Sequence, residues 1–504
     1  MHSHAGAWER EKRVENMKLL LKWLILLPLL KKFTKIFEQI FRPFGAFFAP
    51  MNTRWQRLSP FYKNVVLGLF IALLLIGLRH GQWISEMEDL SADWMMTLYR
   101  GKLVKKETPP FVILDIDDDT YEAWDEPFFT PRDKLLTLLK FAVQGQPKLI
   151  IVDIAIQKLS HQGKGLHPHD QALQAYLSQY ESKHCQKSDC PTILLARSFR
   201  LPKEVKPFEP NTKPYYLAQR RTFLDKTVLH APHIDWAATQ FEREHDRLLR
   251  RWDLWTPTCT QGSSDIVPSI PLLSVALLAE DEPNMQACSC RLRHHLNYFM
   301  PSSCNQPPQA WTSEELRHKP TEFLVSKDLV FDLHPTRLNR RIIYTIPWYL
   351  QTGETLPSVA DGRDLLTIMS ANKVIDKRVS PEPLRDSITV IGGSYLEGRD
   401  WHATPLGWMP GMLVLVNGIH SLQQYGILQP PSAWWVLLFA TVLIVFTSWM
   451  LVKYGNLKGG IYSALVVIIL ILLNFMLFQY GIWLSFAIPW IAVQIRQMWE
   501  PKKR

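Results

Sequence analysis

The run FVILDI at residues 111–116 is a continuous apolar segment of strand length, and three aspartates, Asp117 to Asp119, follow it directly. A second run, LIIVDI at residues 149–154, has the same character. Strands in which every position is apolar are typical of a parallel sheet that is covered on both faces. The two runs therefore predict two strands of a largely parallel sheet.

The segment between these runs has the pattern of a helix. Thr130 can cap the first turn, and the fixed φ of Pro131 suits the first helical position. Apolar residues then recur on one face, and Gly145 with Pro147 ends the pattern. Strand, helix and strand in this order predict a right-handed βαβ unit, so we expect an α/β domain.

Two further runs, Thr192–Ala196 and Ser387–Gly392, are candidate strands of the same sheet. The segment between them, residues 197–340, is rich in Pro, Arg and Trp and has little periodicity apart from an apolar stretch at Ile270–Ala279, which we expect to be helical. We therefore expect 197–340 to form a divergent, loop-rich lobe that contains cysteines.

Uncharged apolar stretches flank the α/β region at both ends. A membrane span needs about 20 apolar residues, and Val65–Leu78 reaches that length only if the span extends to about Ile84. Three more stretches follow the domain, at Trp434–Val452, Ile461–Phe478 and Ile482–Val493. We expect about four transmembrane helices, one at 65–84 and three within 431–495.

The distribution of charge predicts how these spans are oriented. Residues 1–64 contain twelve Lys or Arg against four Glu, and the short tail at 496–504 is also basic. Lys453 and Lys458 lie in the turn between the second and third spans. Positive flanking segments mark the cytoplasmic side, so both termini are expected in the cytoplasm and the domain at 85–430 in the periplasm of a bacterial inner membrane.

The same basic segments also indicate partners. Residues 1–64 alternate basic and apolar-aromatic stretches, which predicts a segment that lies on the inner leaflet of the lipid bilayer. The remainder of the chain is slightly acidic, because the flanking segments carry more positive charge than the net charge of +10 of the whole chain. A nucleic-acid-binding domain would carry positive charge on its folded part, so no nucleic acid is expected as a partner.

All six cysteines fall within the expected periplasmic domain: Cys185, Cys190, Cys259, Cys288, Cys290 and Cys304. An even number on one side of the membrane predicts disulfides in an oxidising compartment, although the sequence does not choose among the possible pairings. A zinc site made by Cys185 and Cys190 with Cys288 and Cys290 is the alternative. Neither spacing is usual for zinc, so disulfides are favoured.

Carboxylates follow the predicted strands where ligands of parallel sheets bind. Asp115 and Asp117 lie at the end of the first strand and Asp153 at the end of the second. If Ser387–Gly392 is a neighbouring strand, Gly392, Gly393 and Asp400 enter the same crevice. Such carboxylates could hold a divalent cation or a cationic ligand. The alternative is that they cap helices and bind turn amides.

An enzymatic interpretation also exists for these acids. An apolar strand followed by Asp115-Ile116-Asp117 resembles the haloacid-dehalogenase-like phosphatases, in which the first Asp is the nucleophile and the second the acid or base. The later acidic pair for Mg²⁺ is missing, because Glu397 and Asp400 have unsuitable spacing. We therefore expect no enzyme, no catalytic residue, no resident metal and no cofactor.

A series of motifs follows in order along the chain: Leu90-Ser-Ala-Asp93-Trp94, Tyr99-Arg100, Val112-Ile-Leu-Asp-Ile-Asp117-Asp118, Pro127-Phe-Phe-Thr-Pro131-Arg132, Ile151-Val-Asp153, Asp170-x-x-Leu173, Ile391-Gly392-Gly393, Asp400-Trp-His-Ala-Thr404-Pro405-Leu406-Gly407, Pro410-Gly411 and Asn417. With these motifs most of residues 85–425 resembles the CHASE2 extracytoplasmic sensor domain of bacterial signalling receptors. Phe128-Phe129 and Leu415-Val416 depart from the family pattern. Thr404 joins the candidate ligand-binding residues on this basis.

The resemblance implies a sensory or ligand-binding membrane protein. In other members a cytoplasmic kinase or cyclase domain follows the last span, and we expect this chain to have none and to relay its signal to a separate membrane or cytoplasmic protein. The ligand, a small molecule or a protein, is not identified by the sequence. An envelope scaffold that binds another protein through the periplasmic domain is the alternative function.

Overall fold

The computed structural model describes residues 58–77, 82–101, 108–157, 166–185, 190–202, 215–242, 244, 246–260, 262–279, 285–297, 304–305, 322–326, 329–332, 340–426 and 432–478. The chain divides into two compact units. The larger contains Arg79–Val436 and Ile468–Ala487, and the smaller contains Met1–Leu78, Leu437–Val467 and Ile488–Arg504. Most of the basic N-terminal segment, the expected span at Ile482–Val493 and the tail at 496–504 lie outside the described residues.

The described strands are β1 (Phe111–Ile116), β2 (Leu149–Val152), β3 (Thr192–Arg197), β4 (Phe199–Arg200), β5 (Ala218–Gln219), β6 (Ile234–Ala238), β7 (Phe241–Glu242), β8 (Arg251–Trp252), β9 (Trp255–Thr260), β10 (Ser263–Pro268), β11 (Glu322–Ser326), β12 (Leu329–Asp332), β13 (Leu366–Ser370), β14 (Ile388–Gly393), β15 (Trp401–Thr404) and β16 (Gly407–Pro410). The described helices are α1 (Pro60–Gly77), α2 (Gln82–Tyr99), α3 (Asp118–Ala123), α4 (Arg132–Gln144), α5 (Pro168–Ser178), α6 (Tyr180–His184), α7 (Asp225–Leu229), α8 (Ile270–Leu278), α9 (Met285–Asn297), α10 (Ala371–Ile375), α11 (Gly411–Tyr425) and α12 (Ala433–Phe478).

A six-stranded sheet with the order β13-β1-β14-β2-β3-β6 forms the centre of the larger unit. Every neighbouring pair in it is parallel. The predicted largely parallel α/β sheet is confirmed. β1 and β2 are not adjacent, because β14 lies between them and pairs with both.

Both faces of the sheet are covered, which explains the unbroken apolar strands. Alternate residues of a strand point to opposite faces. Phe111 and Ile113 belong to one core, which includes residues of α2, α8 and α11, whereas Val112 and Leu114 belong to a second core with α4 and α5. All six positions of β1 are therefore buried.

The start of α4 differs from the prediction. Pro131 has φ −59° and ψ 134°, so the backbone is still extended there and the helix begins at Arg132. Pro131 thus occupies the position before the helix, and no side chain caps it. Thr130 lies one position too early to act as the cap. The predicted end at Gly145 is confirmed.

One described helix is long and apolar enough to cross a membrane, at Trp434–Gly455 within α12. At Gly455 the φ of 75° breaks α12 into two helices, at the turn that the sequence predicts between Lys453 and Lys458. Ile468–Phe478 is a shorter apolar helix. The count of about four spans is therefore not confirmed and stays a prediction.

A small buried cluster in the smaller unit joins α1 to α12. Ala72 packs with Ala440 and Ile444. A Cβ on Gly68 would lie 2.5 Å from Ile444 Cγ2, so the glycine permits close approach of the two helices. Small residues at such contacts are typical of helix pairs in membranes.

Four of the six cysteines form disulfides, Cys185–Cys190 and Cys259–Cys304. The expectation that all six are paired is wrong for Cys288 and Cys290, which are free thiols on α9. Residues two apart on a helix point in nearly opposite directions, so Cys288 is buried and Cys290 exposed. Burial raises the pKa of the Cys288 thiol to about 11.

Candidate ligand-binding cleft

The carboxyl ends of β1, β14 and β2 meet at one edge of the sheet. Asp115 pairs with Gly392, and Ile391 pairs with Val152, so the ends of the three strands are level. Asp153 follows Val152 directly, and its N–H donates to the carbonyl of Ile391 at 2.8 Å. The condition under which the candidate residues would converge, a strand at 387–392 beside the other two, is therefore met.

Asp115 lies in the interior at this edge, with 3% of its surface exposed. Its carboxylate accepts two hydrogen bonds from Ser394, from the backbone N at 3.0 Å and from Oγ at 2.7 Å. Burial raises the pKa of Asp115 to about 7, although the Ser394 bonds act in the opposite direction. Asp115 therefore holds the segment after β14 in place and does not face the cleft.

Asp117 and Asp118 each accept a hydrogen bond from a backbone N–H group. Asp117 Oδ1 caps α3 by accepting from Thr120 N at 2.8 Å. Asp118 Oδ1 accepts from Leu396 N at 2.9 Å. The structure thus places Asp117 in the role of the alternative interpretation, a helix cap.

Asp153 and Asp400 line one cleft of about 260 Å³. Burial, and then the charge of Asp400, raises the pKa of Asp153 to about 8. His402 Nε2 lies 2.9 Å from Asp400 Oδ1. The remaining lining residues are Thr239, Gln240, Phe241, Leu249, Gly411 and Leu415.

The start of α11 positions Asp400. The N–H of Gly411 donates to the carbonyl of Asp400 at 2.8 Å. A Cβ at position 411 would lie 2.2 Å from Asp400 Oδ2, so only glycine leaves room for this carboxylate. A negative side chain is also favoured at this end of a 15-residue helix.

The other three candidates have packing roles. A Cβ on Gly392 would lie 3.0 Å from Met412 Cβ, and one on Gly393 would lie 2.7 Å from the Tyr395 ring, so both glycines permit close contacts. Thr404 Oγ1 donates to the Gly407 carbonyl at 2.7 Å within the β15–β16 turn. The structure therefore brings Asp153 and Asp400 together and leaves the other candidates outside the cleft.

A second cleft, of about 430 Å³, is lined by positively charged side chains instead of carboxylates. Arg200, Arg220 and Arg221 line it together with Gln157. Arg220 is fixed by the bond from its Nε to the Phe199 carbonyl at 3.0 Å. Sequence reasoning missed this cleft, because β4 and β5 are too short to show a pattern.

A buried ion pair elsewhere in the larger unit was also missed. Arg132 and Asp170 are each fully buried, with 3.6 Å between Nε and Oδ1. Arg132 also donates to the carbonyls of Thr130 and Ala155, at 3.1 and 3.3 Å. The pair joins the starts of α4 and α5 to the chain after β2. In the sequence, the only indication that Arg132 and Asp170 matter is that both belong to motifs of the CHASE2 resemblance.

Chemically, two neighbouring carboxylates with an imidazole beside them favour a positively charged ligand.

A comparison with known families gives one match, to the family model described as CHASE2 domain, over residues 70–454. No curated protein and no solved structure matches the chain.

Proposed function

Because the chain belongs to the CHASE2 family, whose domain is a sensory extracytoplasmic one, we propose that it binds a cationic ligand in the Asp153–Asp400 cleft and relays this event to a separate protein. The observation that carries the proposal is that Asp153 and Asp400 line one cleft, where burial, and then repulsion by the charge of Asp400, raises the pKa of Asp153 to about 8. A divalent metal ion or an organic cation would relieve that repulsion.

The relay follows from the position of α11. Gly411 and Leu415 line the cleft, and the helix continues to Tyr425, shortly before α12 begins at Ala433. A ligand that draws Asp153 towards Asp400 favours one placement of the first turn of α11. The mechanism is a population shift between two arrangements of this helix.

We also propose that the chain is a binding protein and not an enzyme. In a phosphatase of the haloacid-dehalogenase type, Asp115 would have to attack phosphorus, but Ser394 donates to both of its carboxylate oxygens and 3% of its surface is exposed. Asp117, the expected acid or base, caps α3 instead. These contacts favour a binding domain over an enzyme.

The proposal also includes the membrane arrangement. We infer a multi-pass protein of the bacterial inner membrane, with about four spans, cytoplasmic termini and the larger unit in the periplasm. The charge of the flanking segments, the extracytoplasmic family and the apolar helix at Trp434–Gly455 support this arrangement.

The test is thermal unfolding of the full chain in detergent micelles, with Mg²⁺, Ca²⁺, Mn²⁺ or spermidine as probes. A ligand at about 100 times its Kd stabilises the folded state by about 2.7 kcal/mol. We expect at least one probe to raise the Tm of the native protein, and Asp153→Asn or Asp400→Asn to abolish that rise. Asp361→Asn, at an exposed acid remote in sequence, is the control and should respond as the native protein does. Equal shifts in all four proteins would refute the cleft as the binding site.

A further inference from the structure

Four potential metal ligands lie together at the end of the sheet opposite the cleft. They are Glu181, Cys185, Cys190 and His233, and one ligand atom from each lies within 4.8 Å of all the others. Each of these residues is half-buried. The cluster has no residue in common with the sensor cleft, so it is an independent site.

Helix α6 and the pairing of β3 with β6 bring the four residues together. Glu181 lies on α6, and Cys185 is the residue directly after this helix. A separation of four residues places both side chains on one face. Cys190 precedes β3 and His233 precedes β6, and the amino ends of these parallel strands are neighbours. The N–H of Ile193 donates to the His233 carbonyl at 2.8 Å and fixes this approach.

Glu181 already orients the imidazole. His233 Nδ1 lies 2.6 Å from Glu181 Oε2, and the His233 backbone N donates to Oε1 at 2.7 Å. The carboxylate and the ring are therefore held beside the two sulfur atoms before any ion arrives. In metal sites a carboxylate that is hydrogen-bonded to one ring nitrogen fixes the imidazole so that its other nitrogen can bind the ion.

We propose that Cys185, Cys190, His233 and Glu181 form a tetrahedral Zn²⁺ site when the Cys185–Cys190 disulfide is reduced. Thiolate, imidazole and carboxylate are the ligands that zinc takes in proteins, at distances of about 2.0–2.3 Å. Ligand atoms of such a tetrahedron lie about 3.5 Å from one another. The observed spacing is close enough for small side-chain shifts to reach this geometry.

The redox state of the disulfide controls the site. In the oxidised chain the two sulfur atoms are bonded to each other and cannot act as thiolate ligands. A dithiol reductant supplies two electrons and two protons, so the S–S bond breaks, both cysteines become thiols and the reductant becomes a disulfide. Zn²⁺ then forms two Zn–S bonds, and the two thiol protons pass to solvent.

The second disulfide provides a matched comparison. Cys259–Cys304 belongs to no cluster of metal-ligating side chains among the described residues. Reduction of that bond is therefore expected to leave two thiols without a metal site. Cys288 and Cys290 are thiols in either redox state and are removed from the test by substitution to Ser.

The experiment uses the full chain in detergent micelles, with Cys288→Ser and Cys290→Ser as the background, and Co²⁺ as a spectroscopic probe for Zn²⁺. After anaerobic reduction with a phosphine we expect one Co²⁺ per chain, with the absorption of tetrahedral cobalt and a thiolate charge-transfer band. The oxidised chain should show neither. Cys185→Ser with Cys190→Ser should abolish the spectrum, and Cys259→Ser with Cys304→Ser should preserve it.

His233→Ala and Glu181→Gln are each expected to weaken binding at least about tenfold. In the reduced chain without substitutions, Zn²⁺ should slow alkylation of Cys185 and Cys190 but not of Cys259 and Cys304, a readout that requires no variant. The proposal is overturned if the reduced chain takes up no Co²⁺, if the oxidised chain binds it equally, or if binding survives loss of Cys185 and Cys190.

Discussion

The Nε of Arg250 donates to both carboxylate oxygens of Asp93, at 3.1 and 2.9 Å, and the two residues are 157 positions apart in the sequence. Both are buried. Asp89, one turn earlier on α2, is paired with Arg251 and Arg341. Buried ion pairs thus fix α2, the first helix of the larger unit, to segments from the middle of the chain.

Loss of the Asp93 carboxylate is expected to destabilise the domain strongly. Removal of one member of a buried pair costs about 3–5 kcal/mol when the other charge is left uncompensated. Arg250 keeps Glu244 and Asp246 as partners, so we expect Asp93→Ala to cost an amount near the lower end of that range. The measurement is denaturant unfolding of the full chain in micelles. Asp361→Ala breaks an exposed pair with Arg363 and should leave the unfolding curve almost unchanged. Equal effects of the two substitutions would contradict this role for Asp93.

The raised pKa of Asp153 predicts how stability depends on pH. Between about pH 4 and about pH 8 this carboxyl holds more protons in the folded than in the unfolded chain, so its contribution to stability falls as pH rises through that window. Asp153→Asn cannot ionise and removes this dependence. We expect the Tm of the variant to match that of the native protein near pH 4 and to exceed it near pH 9. A constant difference from pH 5 to 9 would be incompatible with the raised pKa.

Gly411 and Asp400 are expected to be coupled. A methyl group at 411 would collide with the Asp400 carboxylate, so Gly411→Ala should lower the Tm and weaken cation binding. In an Asp400→Ala background the colliding atoms are gone, and the same substitution should cost much less. A double-mutant cycle of Tm values measures the coupling. Additive effects would show that the close approach does not matter.

Labelling of Cys290 tests whether its thiol is free and on which side of the membrane the larger unit lies. The side chain is exposed, so a membrane-impermeant maleimide added to spheroplasts should label it, whereas the buried Cys288 should react only after unfolding. Mass spectrometry of the labelled peptides distinguishes the two. Cys290→Ser should abolish the labelling, and a cysteine introduced by Lys503→Cys should stay unlabelled. The reverse pattern would place the larger unit in the cytoplasm.

Asn417 is expected to be important for attachment of α11. Its Oδ1 accepts from the backbone N of Thr345 and Ile346, and its Nδ2 donates to the carbonyls of Ile346 and Leu413. Asn417→Ala leaves these groups buried without partners, at about 1–3 kcal/mol for each unsatisfied group. Asn372→Ala on α10, where no side-chain hydrogen bond is lost, is the control. A Tm shift no larger than that of the control would contradict the prediction.

The sheet was predictable because its strands carry their own signal. The apolar run at 111–116 needs two covered faces, and the strand there has the predicted bounds. The helix at Ile270–Leu278 was likewise visible from its composition. The position of β14 between β1 and β2 was not, because hydrophobicity does not state which strands are neighbours.

The candidate site could be predicted only in part, for a physical reason. Asp115, Asp117 and Asp153 look alike in sequence, since each lies at or directly after the end of an apolar strand. Their roles are set by partners distant in the chain, such as Ser394 for Asp115 and Asp400 for Asp153. The pairing of α2 with three arginines likewise depends on tertiary contacts that no local pattern reveals.

The order of strands in the sheet has a consequence for biosynthesis. The two strands that pair with β1 are β13 and β14, and both are translated long after β1. During synthesis the apolar strand β1 therefore has no sheet partner until Leu366 and Ile388 have been made. Pairings between distant segments form slowly, and an unpaired strand edge is prone to aggregation in the meantime. Truncations before residue 366 should therefore yield protein that chaperones hold or proteases remove.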